Sequence, residues 1–133
     1  ATKNKWQNKL EVVKTLFNHV GETAVIIEEK MTSATALCAC GIAFFLRAIR
    51  AASQGGNEID FHAPEALKMA AQTAKGAASL LLNNNTHPED EIDKVTSPKG
   101  CTIAGLNEME HNGFSSAFIK GITVSADKAK NLY

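Results

Sequence analysis

From Thr32 to about Ser53 the sequence is apolar almost all the way round a helix, with Ala36, Leu37, Ile42, Phe44, Phe45, Leu46 and Ile49 distributed over every face before Gln54-Gly55-Gly56. A helix without a wet face has to be buried. A chain of 133 residues has little interior to offer, so complete burial of this helix takes surface from a second chain. The longest uncharged run inside it, Met31 to Leu46, is 16 residues and includes Thr32, Ser33 and Thr35. That is short of the roughly 20 apolar residues that span a bilayer, and no membrane helix is expected.

The rest of the chain reads as helices, with one exception. Trp6, Leu10, Val13, Phe17 and Val20 recur every three or four residues, an amphipathic stripe that Gly21 terminates. Thr23 to Ile27 is β-branched, too short for a helix and bounded by Gly21 and by Glu28-Glu29-Lys30, so it reads as a strand. A solitary strand cannot satisfy its own backbone and must pair with a partner chain or with a sheet outside this sequence. Pro64 opens a helix to about Leu82, stopped by Asn83-Asn84-Asn85. Its alanines, Ala66, Ala70, Ala74 and Ala78 among them, read equally as helix propensity and as room for close helix packing. Pro88 to Asp93 is a short helix with carboxylates in its first turn, placed for the macrodipole rather than for catalysis. Helices from about Ile103 to Asn112, stopped by Gly113, and from about Ser115 to Asn131, with Phe118, Ile119 and Ile122 inward, complete the chain.

Charge narrows the partners. Fourteen Lys and Arg balance fourteen Asp and Glu, giving no electrostatic footprint for phosphate backbones or anionic membranes. Neither nucleic acid nor a membrane is an expected partner, and Lys3, Lys5, Lys9 and Lys14 read as a solvated helix face. Three cysteines, Cys38, Cys40 and Cys101, give an odd count without a CxxC pair. They read as buried thiols of a reducing, cytoplasmic compartment, and no metal site is expected. The sequence begins at Ala1 with neither an initiator Met nor an apolar signal segment, as a piece of a longer protein would.

Chemistry concentrates at Val95 to Leu106. A hydroxyl-rich turn with Pro98 and Gly100 leads straight into a helix, where backbone N–H groups and the Ser97 and Thr102 hydroxyls converge on a point suited to an anion. Lys99 adds charge there. The same hydroxyls also read simply as helix caps. His87, before a proline, and His111, near a helix end, read as surface residues.

Thr96-Ser97-Pro98, Gly100, Thr102-Ile103-Ala104-Gly105-Leu106, Met109-Glu110 and Gly113-Phe114 resemble the signature of pyrroline-5-carboxylate reductase, Thr-Ser-Pro-Gly-Gly-Thr-Thr-Ile-Ala-Gly-Leu, with matching spacing. Ala70-Ala71-Gln72-Thr73, Gly76-Ala77-Ala78, Leu80-Leu81-Leu82 and His87-Pro88 resemble the preceding helix and turn of that family. The resemblance implies a mainly α fold: a helical bundle forming an intertwined dimer, with one short amino-terminal strand. Residues 1–30 would be the last helix and strand of a dinucleotide-binding domain, and 31–133 the helical dimerisation and substrate-binding domain. The GxGxxG fingerprint is absent from the sequence.

By the same resemblance, Ser97, Gly100, Cys101 and Thr102 would cradle the carboxylate of the cyclic imine, with the Thr102 hydroxyl near its ring nitrogen. The longer protein would reduce 1-pyrroline-5-carboxylate to L-proline with NADPH or NADH, as a homodimer or higher homo-oligomer, and this piece alone would be inactive. Gly41 would approach the cofactor. Two departures stand out: Lys99 where the family carries a small residue, usually Gly, and Cys38-Ala39-Cys40-Gly41-Ile42-Ala43-Phe44 where many relatives read Ser-Gly-Ser-Gly-Pro-Ala-Tyr. The alternative is a non-catalytic helical dimerisation module of a related dehydrogenase, or a regulatory paralogue.

Overall fold

The computed structural model describes residues 2–131, with side chains described from Gln7 onward. The Trp6 end of the first apolar stripe and the Lys3 and Lys5 side chains lie outside that range. The chain divides into two compact units, one reaching to Met31 and the other starting at Thr32.

In the first unit, α1 runs Thr2–Phe17. It stops four residues before Gly21. The Asn18 side chain turns forward to accept from Thr23 N–H at 3.0 Å, and the chain leaves the helix through a turn in which Val20 N–H donates to Phe17 O at 3.0 Å. Asparagine competes with the helix for backbone groups in this way. Of the basic residues on α1, Lys14 meets Glu11 at 3.3 Å. The stripe itself is uncovered: Leu10, Val13 and Phe17 are exposed.

The expected strand Thr23 to Ile27 is not formed, and no strand occurs among the described residues. Ile27 has extended dihedrals, φ −77° and ψ 154°. Extended backbone becomes a strand only when a ladder takes up its hydrogen bonds, and none is offered here. Val25, Ile26 and Ile27 are accordingly exposed.

The apolar segment forms a single rod, Glu28–Glu58. It opens with a 3₁₀ turn, Glu28–Lys30, passes through α2, Met31–Ala34, and a π-helical stretch, Thr35–Cys40, and continues as α3, Gly41–Glu58. Counting uncharged residues understated this element, which is long and apolar enough to cross a membrane by length and composition. It also runs five residues past Ser53, through Gly55 and Gly56. The reason is packing against α4, Ala63–Asn84. A Cβ on Gly56 would lie 2.9 Å from the Ala66 Cβ, so the two backbones approach more closely than any larger pair allows. Ser53 and Ala66 are buried at this crossing, and the Ser53 hydroxyl has no hydrogen-bond partner there.

The α3 to α4 turn is closed by Phe61 N–H donating to Gly56 O at 3.1 Å, with Asp60 in the left-handed region at φ 75°. Pro64 sits in the first turn of α4, and Asn85 ends the helix at φ 51°. Helix α5, Pro88–Val95, has a capping box in which His87 Nδ1 accepts from Glu89 N–H at 3.3 Å and Asp90 accepts from His87 N–H at 3.4 Å. Helix α6, Cys101–His111, and α7, Phe114–Ala129, meet at Gly113, which takes φ 78°. There Gly113 N–H donates to Glu110 O at 2.9 Å, and Ser115 Oγ donates to Glu110 Oε1 at 2.7 Å.

Helix α7 packs on the π-helical stretch and on α3. Phe118 is half-buried among Phe44, Phe45 and Phe114 at ring-centroid distances of 6.2, 5.4 and 5.9 Å. Ile122, one turn on, is also half-buried, whereas Ile119 is 62% exposed. Residues 118 and 122 share a face, and 119 lies a hundred degrees away from 118. Contrary to expectation, Cys38 and Cys101 are exposed and Cys40 is half-buried.

Candidate functional site

The hydroxyl-bearing turn is formed before α6. Thr96 ends α5, where its Oγ1 donates to Asp93 O at 3.2 Å. Gly100 N–H then donates to Ser97 O at 2.9 Å, closing a four-residue turn with Pro98 and Lys99 at its corners. Lys99 has φ 61°. With Pro at the first corner and a left-handed residue at the second, this is a type II turn. Glycine usually fills that second corner because a Cβ there costs about 1 kcal/mol.

Helix α6 begins two residues earlier than the sequence suggested, so Cys101 and Thr102 belong to its first turn. Gly100 is the residue before it, and no side chain caps the end. The capping reading of Ser97 and Thr102 is thereby removed. What remains is a helix start whose first N–H groups have no side-chain acceptor and which carries no acidic residue in its first turn. Ser97, Lys99, Cys101 and Thr102 are all exposed around it. The turn brings Ser97, Gly100, Cys101 and Thr102 together; Gly41 belongs to a different element, where the π-helical stretch passes into α3. Gly41 is buried, yet a Cβ there would meet open space.

Two apolar hollows flank α3. One, of about 860 Å³, runs between α3 and α4 past Phe45, Ile49, Gly56, Met69 and Ala70. The other, of about 330 Å³, lies between α3 and α7, lined by Phe44, Phe114, Phe118 and Gly121 with Arg47 as its cation. The aromatic cluster was not picked out from the sequence, although Phe114 and Phe118 stand at helical spacing. No group of three or more metal-ligating side chains occurs among the described residues.

A helical hairpin with uncovered apolar faces, followed by a short helix, a hydroxyl-bearing turn and two further helices, defines an all-α unit of the kind that packs against a partner. The pyrroline-5-carboxylate reductase dimerisation model matches residues 28–132, and the chain belongs to that family. It is 70% identical over 126 residues to Pyrroline-5-carboxylate reductase 1 of Dictyostelium discoideum, covering 95% of this chain and 23% of that protein. To Pyrroline-5-carboxylate reductase 2 of the same organism it is 63% identical over 123 residues, covering 92% of this chain and 41% of the relative. Among solved structures, it resembles the 1-pyrroline-5-carboxylate reductase of Streptococcus pyogenes at TM-score 0.84 and 34% identity, covering 90% of this chain and 46% of that one. The Plasmodium falciparum pyrroline carboxylate reductase, solved with NADP bound, matches at TM-score 0.85 and 25% identity over 93% of this chain and 47% of that one. The chain therefore spans less than half the length of these relatives.

Proposed function

We propose that this chain is the dimerisation and substrate-binding part of a pyrroline-5-carboxylate reductase, which reduces 1-pyrroline-5-carboxylate to L-proline with NADPH or NADH. The observation that carries the reading is the uncapped start of α6, where the turn Ser97 to Gly100 leads into exposed Cys101 and Thr102 and no side chain accepts from the first helical N–H groups. A cyclic imino acid offers a carboxylate to the N–H groups and a ring nitrogen to a hydroxyl. Ser97, Gly100, Cys101 and Thr102 would hold the carboxylate, with Thr102 the residue against the reacting C=N group. The dinucleotide supplies the hydride.

The GxGxxG cradle for its phosphates is not in this sequence and, by this reading, would be supplied by the rest of the longer protein. Gly41 would contact the nicotinamide end, since the space beside its Cα is filled by no neighbour within this chain. Residues 1–30 would belong to the dinucleotide-binding domain of the longer protein, and residues 31–133 to the helical domain. Without the first domain the chain alone would not turn over.

The exposed surface supports the reading of the partner. The chain exposes 11143 Å², against about 6,800 Å² expected for a monomer of this mass. Large apolar side chains lie on that surface: Ile42 is 64% and Leu46 59% exposed on the long rod. A second copy laid against the rod and the hollow beside it would bury these residues in an intertwined homodimer. By this reading the rod's apolar length would lie in a subunit interface rather than in lipid, and the enzyme would be cytoplasmic.

The test is NADPH-dependent reduction of pyrroline-5-carboxylate by the full-length protein that contains this chain. Turnover is expected, and Thr102→Ala should lower kcat/KM by about 100-fold, the loss typical of one oriented hydrogen-bonding group at a reacting centre. A folded, dimeric protein without turnover would favour the non-catalytic paralogue.

A further inference from the structure

The glycine of the Ser97 to Gly100 turn is not where the turn itself asks for one. The left-handed corner of a type II turn falls to Lys99, φ 61°, while Gly100 has φ −72° and ψ 160°, dihedrals that any residue adopts. Backbone conformation therefore leaves position 100 open to every side chain. Space does not. A Cβ at Gly100 would lie 2.5 Å from Ser97 Oγ and 3.0 Å from Ser97 O. The Ser97 hydroxyl thus stands where the side chain of residue 100 would be, directly against the residue that precedes α6.

We propose that Gly100 is a positioning residue for Ser97: by lacking a Cβ it lets the Ser97 hydroxyl sit at the amino end of α6, as a second donor beside Thr102 for the substrate carboxylate. This rests on the reductase reading above and gives Gly100, already counted with the carboxylate loop, a role that acts through Ser97. Oγ is the end of a rotatable side chain, so a methyl group at position 100 displaces the hydroxyl to another rotamer and asks the backbone carbonyl to give by only a few tenths of an ångström. The glycine is then needed for substrate affinity more than for folding.

The experiment is steady-state kinetics of the full-length protein with pyrroline-5-carboxylate, on wild type, Gly100→Ala, Ser97→Ala and the double variant, with melting temperatures alongside. Gly100→Ala should raise KM about tenfold, the value of one hydrogen bond to a charged group, with kcat within about twofold and the melting temperature within about 3 °C of wild type. Ser97→Ala should do the same, and the double variant should be no worse than the weaker single, because a displaced hydroxyl and a deleted one are the same loss. An unchanged KM in Gly100→Ala overturns the proposal, as do single effects that multiply in the double variant. A Gly100→Ala protein that loses its fold makes the glycine structural and overturns it too. A folded wild type without turnover removes the reductase reading and this inference together; wild-type turnover with an unchanged Gly100→Ala KM removes the inference alone.

Discussion

Lys99 is the residue that most visibly works against its own backbone. It holds φ 61° in a hydrogen-bonded turn that glycine would form without cost. Lys99→Gly should keep the turn and raise stability by up to about 1 kcal/mol, partly offset by the extra freedom glycine gains when unfolded. Thermal melting of the two proteins checks this, and a lower melting temperature for the glycine variant would contradict it. The departure was legible in the sequence as a lysine where a tight turn favours a small residue. Its conformation was not, because Pro98 and the Gly100 to Ser97 hydrogen bond impose it together. Glu91 is a second case. Lys94 Nζ and Thr86 Oγ1 donate to its Oε1 at 2.8 and 2.6 Å, and these two hydrogen bonds, the lysine's foremost, hold its carboxyl below the usual value. A depressed carboxyl stabilises the fold above its unfolded pKa and loses that contribution as pH falls through the lowered folded value. Melting temperature should therefore drop on acidification below about pH 4.5, and less steeply in Glu91→Gln; parallel profiles would show that Glu91 contributes nothing.

At the scale of elements, the helices were legible because their apolar residues recur at helical spacing, and their ends were less so. Helix α1 stops early because the Asn18 side chain answers Thr23 across the turn. The rod runs through Gly55 and Gly56, which read as a stop, because α4 lies close enough to make glycine the residue that fits. Nothing in the local sequence announces a π-helical stretch at Thr35–Cys40. Two glycine substitutions separate propensity from packing. Gly76→Ala, on α4, meets nothing within 4 Å and should stabilise by about 0.5–1 kcal/mol. Gly56→Ala gains the same propensity but drives its methyl group to 2.9 Å from Ala66 Cβ, an overlap that should leave it about 1–2 kcal/mol less stable than wild type. Chemical denaturation of both variants checks the opposite signs.

For the whole molecule, the long rod governs behaviour. Its exposed apolar residues make self-association the expected state, and Leu46→Glu should weaken it by about 100-fold or more, since a charge would be buried without a partner at the interface. Sedimentation velocity over a concentration series measures the change; an unaltered dimer would place the interface elsewhere. The order of the helices, the need for a second surface, and the turn at Ser97 to Thr102 were all determined by the sequence, because periodicity, hydrophobicity and turn chemistry are local properties. The tertiary structure alone decided three things. It left Thr23 to Ile27 unpaired, because a strand is a property of a ladder and not of a segment. It brought Gly56 onto Ala66 and Phe118 among its three aromatic neighbours, because these contacts join residues from separate helices. And it set the Ser97 hydroxyl against Gly100, because whether a side chain fits depends on the space its neighbours leave, which sequence spacing does not contain.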